Sequence, residues 1–164
     1  MKLKGKVAIV TAASSDRGSA IAELLASEGA SVTINYFKNR KSAESVLKRI
    51  ENRGGKAMVK QADVTVKASV NKMVKETVRK FGSIDILVNN AHGTIRRKAL
   101  EATVWNEFTE NLNGAIKGAH NCCLAVISEM QKKKWGRIIN IMDNIVNEPV
   151  KGYSCHITAQ SALV

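Results

Sequence analysis

The sequence predicts an α/β fold in which helices cover both faces of a parallel sheet. Five short segments rich in Val and Ile alternate along the chain with longer segments of helical periodicity. Strands buried on both faces carry continuous apolar runs, and their alternation with helices is typical of parallel sheets. Because parallel strands are joined by right-handed crossovers, few arrangements of the five strands remain.

The first half of the chain contains three strand–helix units. Each predicted helix ends at glycine, which adopts the left-handed conformation common after helix C-termini. The predicted strands are 7–11, 31–36 and 57–61, and the predicted helices are 20–28, 42–53 and 68–81.

The second half continues the alternation with less regular spacing. Its predicted elements are a strand at 84–88, a short helix capped by Thr103, a longer helix at 111–134, a strand at 137–142 and helical turns at 157–164. Lysines at 132–134 match the preference of helix C-termini for cations. The chain stops inside an apolar helical pattern with no capping residue, so we expect one domain over 1–164 whose remaining part is missing.

Composition excludes several classes of protein. No apolar run reaches the roughly 18 residues that a membrane helix needs, and the N-terminus has no signal-peptide pattern. Three cysteines form no disulfide framework, so we expect a reducing cytoplasm. The net charge of +12 is typical of some nucleic-acid-binding proteins, but the lysines fall mostly on polar helix faces and aromatic residues are only 4% of the chain. We therefore regard nucleic-acid binding as the weaker interpretation.

The turn after the first strand has the general plan of a phosphate-binding loop. It reads Thr-Ala-Ala-Ser-Ser-Asp-Arg-Gly from position 11 and leads into a helix. Helix N-termini attract anions through free N–H groups and the helix dipole. The spacing resembles the Thr-Gly-x-x-x-Gly-x-Gly loop of the short-chain dehydrogenase/reductase family. The resemblance implies a Rossmann-like fold, with a doubly wound sheet of five strands in the order 3-2-1-4-5. It also implies a dinucleotide site that includes Thr11, Ala12, Ser14, Ser15, Asp16, Arg17 and Gly18.

Four further motifs resemble that family in the same order along the chain. Asp63-Val64 corresponds to the segment that meets the adenine, and Asn89-Asn90-Ala91-His92 resembles the family's Asn-Asn-Ala-Gly. The Asn-Leu-Asn run ending at Asn113 and the Gly-Arg-Ile-Ile-Asn segment from 136 resemble a family helix and its fifth strand. The resemblance therefore extends over the whole chain.

Two glycines of the family loop are replaced. Ala12 and Asp16 stand at these positions, and only Gly18 is kept. Glycine allows a positive φ and a close approach of the backbone to the pyrophosphate. Asp16 instead adds a negative charge beside the place of the pyrophosphate. Two interpretations stay open at this point: weakened dinucleotide binding, partly offset by Arg17, and a simple strand-to-helix turn that binds no ligand.

The second strand indicates which dinucleotide the site would prefer. NAD-binding folds place an acidic residue near the end of that strand to hold the ribose 2′-hydroxyl. The stretch 31–41 has no Asp or Glu but contains Lys38, Arg40 and Lys41. Basic residues suit a 2′-phosphate, so NADP is preferred over NAD if a cofactor binds. The alternative is a solvated basic turn.

The family's catalytic Tyr-x-x-x-Lys pair is absent. The resemblance aligns Ile157 with the Tyr, Ser161 with the Lys and Asp143 with the catalytic Ser, while Asn113 matches the family Asn. A second register uses Tyr153, which also lacks the Lys four residues later. Asp143 and His156 are titratable and form a further candidate acid–base pair, although polar loop residues are the simpler interpretation. No spacing of His or Cys indicates a metal site.

The resemblance implies an NADP-dependent oxidoreductase that acts on a small carbonyl or alcohol and associates with further copies of itself. The replaced residues predict weak cofactor binding and little or no turnover. A non-catalytic dinucleotide-binding or scaffolding module is the alternative, and a basic nucleic-acid-binding protein is the third.

Overall fold

A five-stranded parallel sheet forms the centre of the protein. The computed structural model describes residues 1–164, and its strand order β3-β2-β1-β4-β5 confirms the predicted topology. The strands are β1 (Val7–Val10), β2 (Ser31–Tyr36), β3 (Lys56–Gln61), β4 (Ile86–Asn89) and β5 (Arg137–Asn140).

Six α-helices accompany the sheet. They are α1 (Asp16–Ser27), α2 (Arg40–Asn52), α3 (Lys67–Phe81), α4 (Trp105–Leu112), α5 (Gly118–Lys132) and α6 (Ser154–Ser161). Short 3-10 turns lie at Leu100–Ala102 and Asn144–Val146. No helix has the length and apolar character needed to cross a bilayer.

The core divides into two layers because neighbouring side chains of a strand point to opposite faces. Ala8 and Val10 of β1 belong to a cluster of 15 buried residues that includes the apolar faces of α1 and α2. Ile9, between them, belongs to a second cluster of 11 residues with α3 and α5. Helices therefore cover both faces of the sheet, as the continuous apolar strands predicted.

The buried carboxylate of Asp85 joins three elements near the first residues of β1 and β4. Asp85, with no exposed surface, accepts from the backbone N–H of Val7 at 2.8 Å and from Lys133 Nζ at 2.5 Å. Burial raises the pKa of Asp85, but these hydrogen bonds outweigh it and hold the pKa below its usual range. The contact joins the start of β1 and the entry to β4 to the end of α5.

Two helix starts differ from the sequence prediction. Helix α1 begins at Asp16 rather than at residue 20, because the side chain of Ser15 accepts from Gly18 N and caps it. Thr103 does not cap α4: its hydroxyl donates to Ala99 O, and Val104 is the capping position.

The two helices predicted after β4 form one continuous run. A π-helical segment, Asn113–Lys117, joins α4 directly to α5. At this segment Gly114 packs against the loop after β4, where an added Cβ would lie 2.7 Å from the Cα of Gly93. The π segment therefore brings the long helix into contact with the end of β4.

The last elements are shifted relative to the prediction. β5 ends at Asn140 rather than at residue 142, and its residues are exposed. Helix α6 begins at Ser154, three residues before the predicted start, and ends at Ser161.

Candidate functional site

The loop after β1 forms a tight turn into α1. Ala12 adopts a φ of +48°, a left-handed conformation that favours glycine. The turn is closed by Ser15, whose hydroxyl donates to Ala12 O at 2.9 Å. Ala12 therefore keeps the backbone shape of a glycine position and carries the strain of doing so.

Gly18 is required by packing. A Cβ at this position would lie 2.5 Å from Ala12 O and 2.7 Å from Asn90 Nδ2. Both distances are too short for any side chain. The glycine that this loop keeps therefore lets α1 approach the end of β4.

Asn90 connects the loop to β4. Its Nδ2 donates to Thr11 O at 3.1 Å, and its Oδ1 accepts from Arg17 Nε at 2.9 Å. In return, Thr11 Oγ1 accepts from the backbone N–H groups of Asn90 and Ala91 at 2.8 and 3.0 Å. The first loop and the segment after β4 thus form one hydrogen-bonded unit.

Asp16 is the first residue of α1 and is exposed. A carboxylate at a helix N-terminus stabilises the helix through its dipole. The same place would hold the phosphates of a dinucleotide. Asp16 therefore supplies a negative charge where an anionic ligand would lie, and the exposed Arg17 follows it with a positive one.

A cleft of about 560 Å³ opens beside this loop. Most of the sequence-predicted binding residues line it: Ala12, Ser14, Lys38, Asp63, Val64, Ala91, His92 and Asn113. Its volume lies within the range of small-molecule and cofactor pockets. Lys38 is the basic residue of the β2–α2 turn that lines the cleft, while Arg40 is paired with Glu44.

Asn35 is a site residue that the sequence analysis did not identify. Its Oδ1 accepts from Ala12 N at 3.1 Å, and its Nδ2 donates to Ala62 O at 3.1 Å. It lines the cleft and is 2% exposed. Asn35 is the one amide side chain in the second strand, and this was the available signal.

Two other predicted residues have structural partners. The carboxylate of Asp63 accepts from Thr65 N and from its hydroxyl, which shapes the turn after β3. Asn89 donates from Nδ2 to Asn140 Oδ1 at 2.9 Å and so joins the ends of β4 and β5. Asp63 remains half-buried at the cleft wall, whereas Asn89 is buried.

At the end of β5 the structure brings Asp143, His156 and Gln160 together. His156 Nε2 lies 3.3 Å from Asp143 Oδ2, and Gln160 Oε1 accepts from Asp143 N at 3.0 Å. His156 and Gln160 are one turn apart on α6 and are both buried.

The contacts of α6 differ from those that the resemblance suggested. The resemblance aligned Ile157 and Ser161 with the family Tyr and Lys, whereas Ser161 is exposed and the side chains that contact Asp143 are those of His156 and Gln160. Tyr153, the alternative, precedes α6 at its N-cap position and is half-buried. The alignment of Ile157 and Ser161 with the family pair stays a prediction, and the structure offers His156 and Gln160, each one residue earlier, as the side chains against Asp143.

The carboxyl of Asp143 is held in its ionised form. The hydrogen bond from Ile145 N lowers its pKa below the usual range, and His156 and the positive charge of Arg17 act in the same direction. The site thus contains a carboxylate, an imidazole and an amide, with no ammonium group bonded to them.

The asparagines of the long helix occupy two different places. Asn113 lies in the π segment, is half-buried and lines the main cleft. Asn111 is buried and lines a separate small cavity together with His156. His92 is exposed at the cleft wall, and its ring meets that of His156 edge-on at 6.1 Å between centroids.

Cys122 and Cys155 are poor nucleophiles. Burial raises the pKa of Cys122 to about 12, as expected for a thiol that fills the core. Burial also raises the pKa of Cys155, which lines the small cavity. Both thiols are therefore protonated at neutral pH.

Comparison with known sequences identifies close similarity over most of the chain. The sequence model described as short chain dehydrogenase matches residues 6–164. A 3-oxoacyl-(acyl-carrier-protein) reductase FabG of Staphylococcus epidermidis is 38% identical over 136 residues, which are 83% of this chain and 55% of that protein. An uncharacterized oxidoreductase of Methylorubrum extorquens is 46% identical over 140 residues, 85% of this chain and 55% of that protein. The chain spans about half the length of these curated relatives.

Solved structures share the fold. A doubly substituted Serratia marcescens short-chain dehydrogenase/reductase superposes with a TM-score of 0.91 at 32% identity, over 99% of this chain and 66% of the other. An NAD⁺-bound xylitol dehydrogenase superposes with a TM-score of 0.94 at 29% identity, over 99% of this chain and 62% of the other.

Proposed function

The chain belongs to the short-chain dehydrogenase/reductase family, and we propose that its cleft binds NADP(H) weakly and that its own residues support little or no turnover. The observation that carries the proposal is the pair of aspartates in the site. Asp16 lies at the start of α1, and Asp143 lies beside His156 at the end of β5. Asp16 places its carboxylate where the phosphates of the cofactor would lie. Asp143 places its carboxylate where negative charge would develop on the substrate oxygen.

The cleft fits a dinucleotide in size and in most of its lining. Gly18 allows close packing at the start of α1. Lys38 would hold the 2′-phosphate, because it is the basic residue of the β2–α2 turn that lines the cleft. Ser14 and Asn113 line the same cleft and offer hydrogen bonds.

Asp16 weakens this fit. Two like charges a few ångströms apart repel by about 1 kcal/mol or more, even at the dielectric of a protein surface. Arg17 offsets part of the repulsion, since only its Nε is bonded within the chain. We therefore expect binding that is measurable but weak, and stronger for NADPH than for NADH.

The proton-transfer residues limit the chemistry. When bound, the nicotinamide supplies or accepts a hydride. Reduction of a carbonyl also needs a donor that protonates the substrate oxygen as negative charge develops there. The ionised Asp143 would repel that charge, and Gln160 has no positive charge to stabilise it. This combination supports a member with little or no turnover on a small carbonyl or alcohol.

Two measurements test the proposal. In calorimetric titration we expect weak NADPH binding and weaker NADH binding; no binding of either would leave only the non-catalytic scaffolding alternative. The second measurement is an activity assay, in which absorbance follows NADPH consumption with a panel of ketones and aldehydes. We expect no consumption above the background rate. Turnover that disappears in His156→Ala or Asp143→Ala would contradict the proposal and assign acid–base catalysis to that pair.

We also propose association with a second copy and a reducing cytoplasmic location. Exposed Leu124 and Ile127 on α5 support the first, since they form apolar surface on a helix that follows β4. Free Cys122, Cys123 and Cys155 support the second. Sedimentation analysis with and without Leu124→Lys tests the association.

A further inference from the structure

A small polar cavity lies behind His156, on the inner side of α6. Its lining is polar apart from one residue and comes from the loop after β4, from α4 and from α6. The volume open to the centre of a water molecule is about 10 Å³. One buried water requires roughly 10–15 Å³ by this measure, so the cavity has room for one and no more.

Two side chains that line the cavity contain buried polar atoms with no partner within the protein. They are His156 Nδ1 and Asn111 Oδ1. His156 is 4% exposed and Asn111 is 3% exposed. Buried polar groups are nearly always hydrogen-bonded, and leaving one unpaired costs about 1–3 kcal/mol. Two such atoms on one cavity therefore point to a shared ligand.

The remaining atoms of these side chains are already engaged. His156 Nε2 faces Asp143 Oδ2 at 3.3 Å, and Asn111 Nδ2 donates to Glu107 O at 3.0 Å and to Thr94 O at 3.3 Å. These contacts leave Asn111 Oδ1 as an acceptor. They also leave Nδ1 as the ring nitrogen of His156 that faces away from the carboxylate.

We propose that Asn111 and His156 bind one buried water molecule, which donates one hydrogen to Asn111 Oδ1 and the other to His156 Nδ1. The water can itself accept a hydrogen bond from the cavity wall, where Lys98 supplies a donor. Lys98 is held there by Glu107, with Nζ 3.0 and 3.1 Å from its carboxylate oxygens. The site takes a small neutral molecule with two hydrogens to donate.

The bound water decides which tautomer His156 adopts. Because Nδ1 accepts a hydrogen, the ring proton of the neutral imidazole lies on Nε2 and is donated to Asp143. The opposite tautomer would set the lone pair of Nε2 against the carboxylate. Asn111 thus acts as a positioning residue: it orients His156 through the water and does not touch the cleft.

NMR of the chain labelled with ¹⁵N-histidine tests this proposal without any added ligand. The three histidines are assigned by single substitutions, and the ring nitrogens of His156 are observed at about pH 8.5, where an ordinary imidazole is neutral. We expect the proton on Nε2, a bare Nδ1 with the shift of a hydrogen-bond acceptor, and a cross-peak from the ring to a long-lived water. A proton on Nδ1, a doubly protonated ring or the absence of that water would each overturn the proposal.

Asn111→Leu provides the second arm, with Asn106→Leu as the matched control on the exposed face of the same helix. We expect the first substitution to abolish the water cross-peak and to shift Nδ1, and the second to leave both unchanged. An unchanged Nδ1 in a folded Asn111→Leu protein would also overturn the proposal. If that variant fails to fold, the measurement on the unsubstituted chain still decides. Because the experiment uses no dinucleotide, its outcome is separate from that of the proposed function.

Discussion

Arg17 donates from Nε to Oδ1 of Asn90 over 2.9 Å, and this bond places a guanidinium against the end of β4. The carboxylate of Asp16 precedes it in the first turn of α1. Opposite charges thus stand side by side where a dinucleotide would place its phosphates. We expect the balance between them to set the affinity of the cleft for a dinucleotide, and single substitutions measure each contribution.

Removing the acidic charge should strengthen binding. Asp16→Gly is expected to raise NADPH affinity about fivefold to tenfold, because it relieves a repulsion of about 1 kcal/mol or more. Calorimetric titration measures the change. Asp16→Asn is the control that separates charge from space: it removes the charge and keeps the side chain. Equal affinity in all three proteins would show that Asp16 does not face the bound phosphates.

Lys38 should determine the preference between the two dinucleotides. Lys38→Ala is expected to reduce the ratio of NADPH to NADH affinity about tenfold, since a hydrogen bond to a charged group contributes about 1.5–3 kcal/mol. The exposed Lys41 lies outside the cleft lining, and Lys41→Ala is the matched control that should leave the ratio unchanged. A drop of the same size in both variants would assign the effect to general surface charge.

The register of α6 can be tested with an introduced phenol. In His156→Tyr/Gln160→Lys, the new ammonium should lower the pKa of the new phenol by about one to three units relative to His156→Tyr alone. The shift follows from placing both groups on one buried face of the helix, and ultraviolet titration of phenolate absorbance reads it directly. Ile157→Tyr/Ser161→Lys is the control in which the exposed position 161 should give a small shift. The reverse order of shifts would restore the register predicted from sequence.

Stability should depend on pH through Asp85. Its pKa is lowered in the folded protein, so its contribution is complete above the unfolded pKa of about 3.9 and is lost as pH falls through the lower folded value. Asp85→Asn should therefore reduce the free energy of unfolding by about 1–3 kcal/mol at neutral pH and flatten its fall in acid. Urea unfolding from about pH 7 to pH 2 measures both effects. Glu51→Gln, at an exposed helix position, should change neither.

The sheet could be predicted because its signal is local. Val7 to Val10 and Ser31 to Tyr36 are short β-branched runs, and a run of this kind is buried whichever helix packs on it. The turns at Gly29 and Gly82 were equally clear, since both adopt positive φ. Strand order followed from the resemblance to the family, because handedness alone leaves several arrangements open.

The details of the site required tertiary contacts. Nothing local distinguishes Ser154 from Ile157 as the start of α6, because the helix is specified by packing against α4 rather than by a cap. The role of Asn35 depends on Ala62, which is 27 residues away, and the π segment depends on Gly93 meeting Gly114. Sequence patterns describe residues that are close along the chain, whereas these contacts join residues that are far apart in sequence.

The hydrogen bonds that join Asn90 to Thr11 and Arg17 have a thermodynamic consequence. A loop already fixed by its own side chains gives up little conformational entropy when a ligand arrives. For the proposed dinucleotide binding we therefore expect the affinity to depend on charge and contact and little on ordering of the backbone. Amide exchange at Ala12 and Ala13, both donors to Asn35, should accordingly be slow before any dinucleotide is added and change little afterwards.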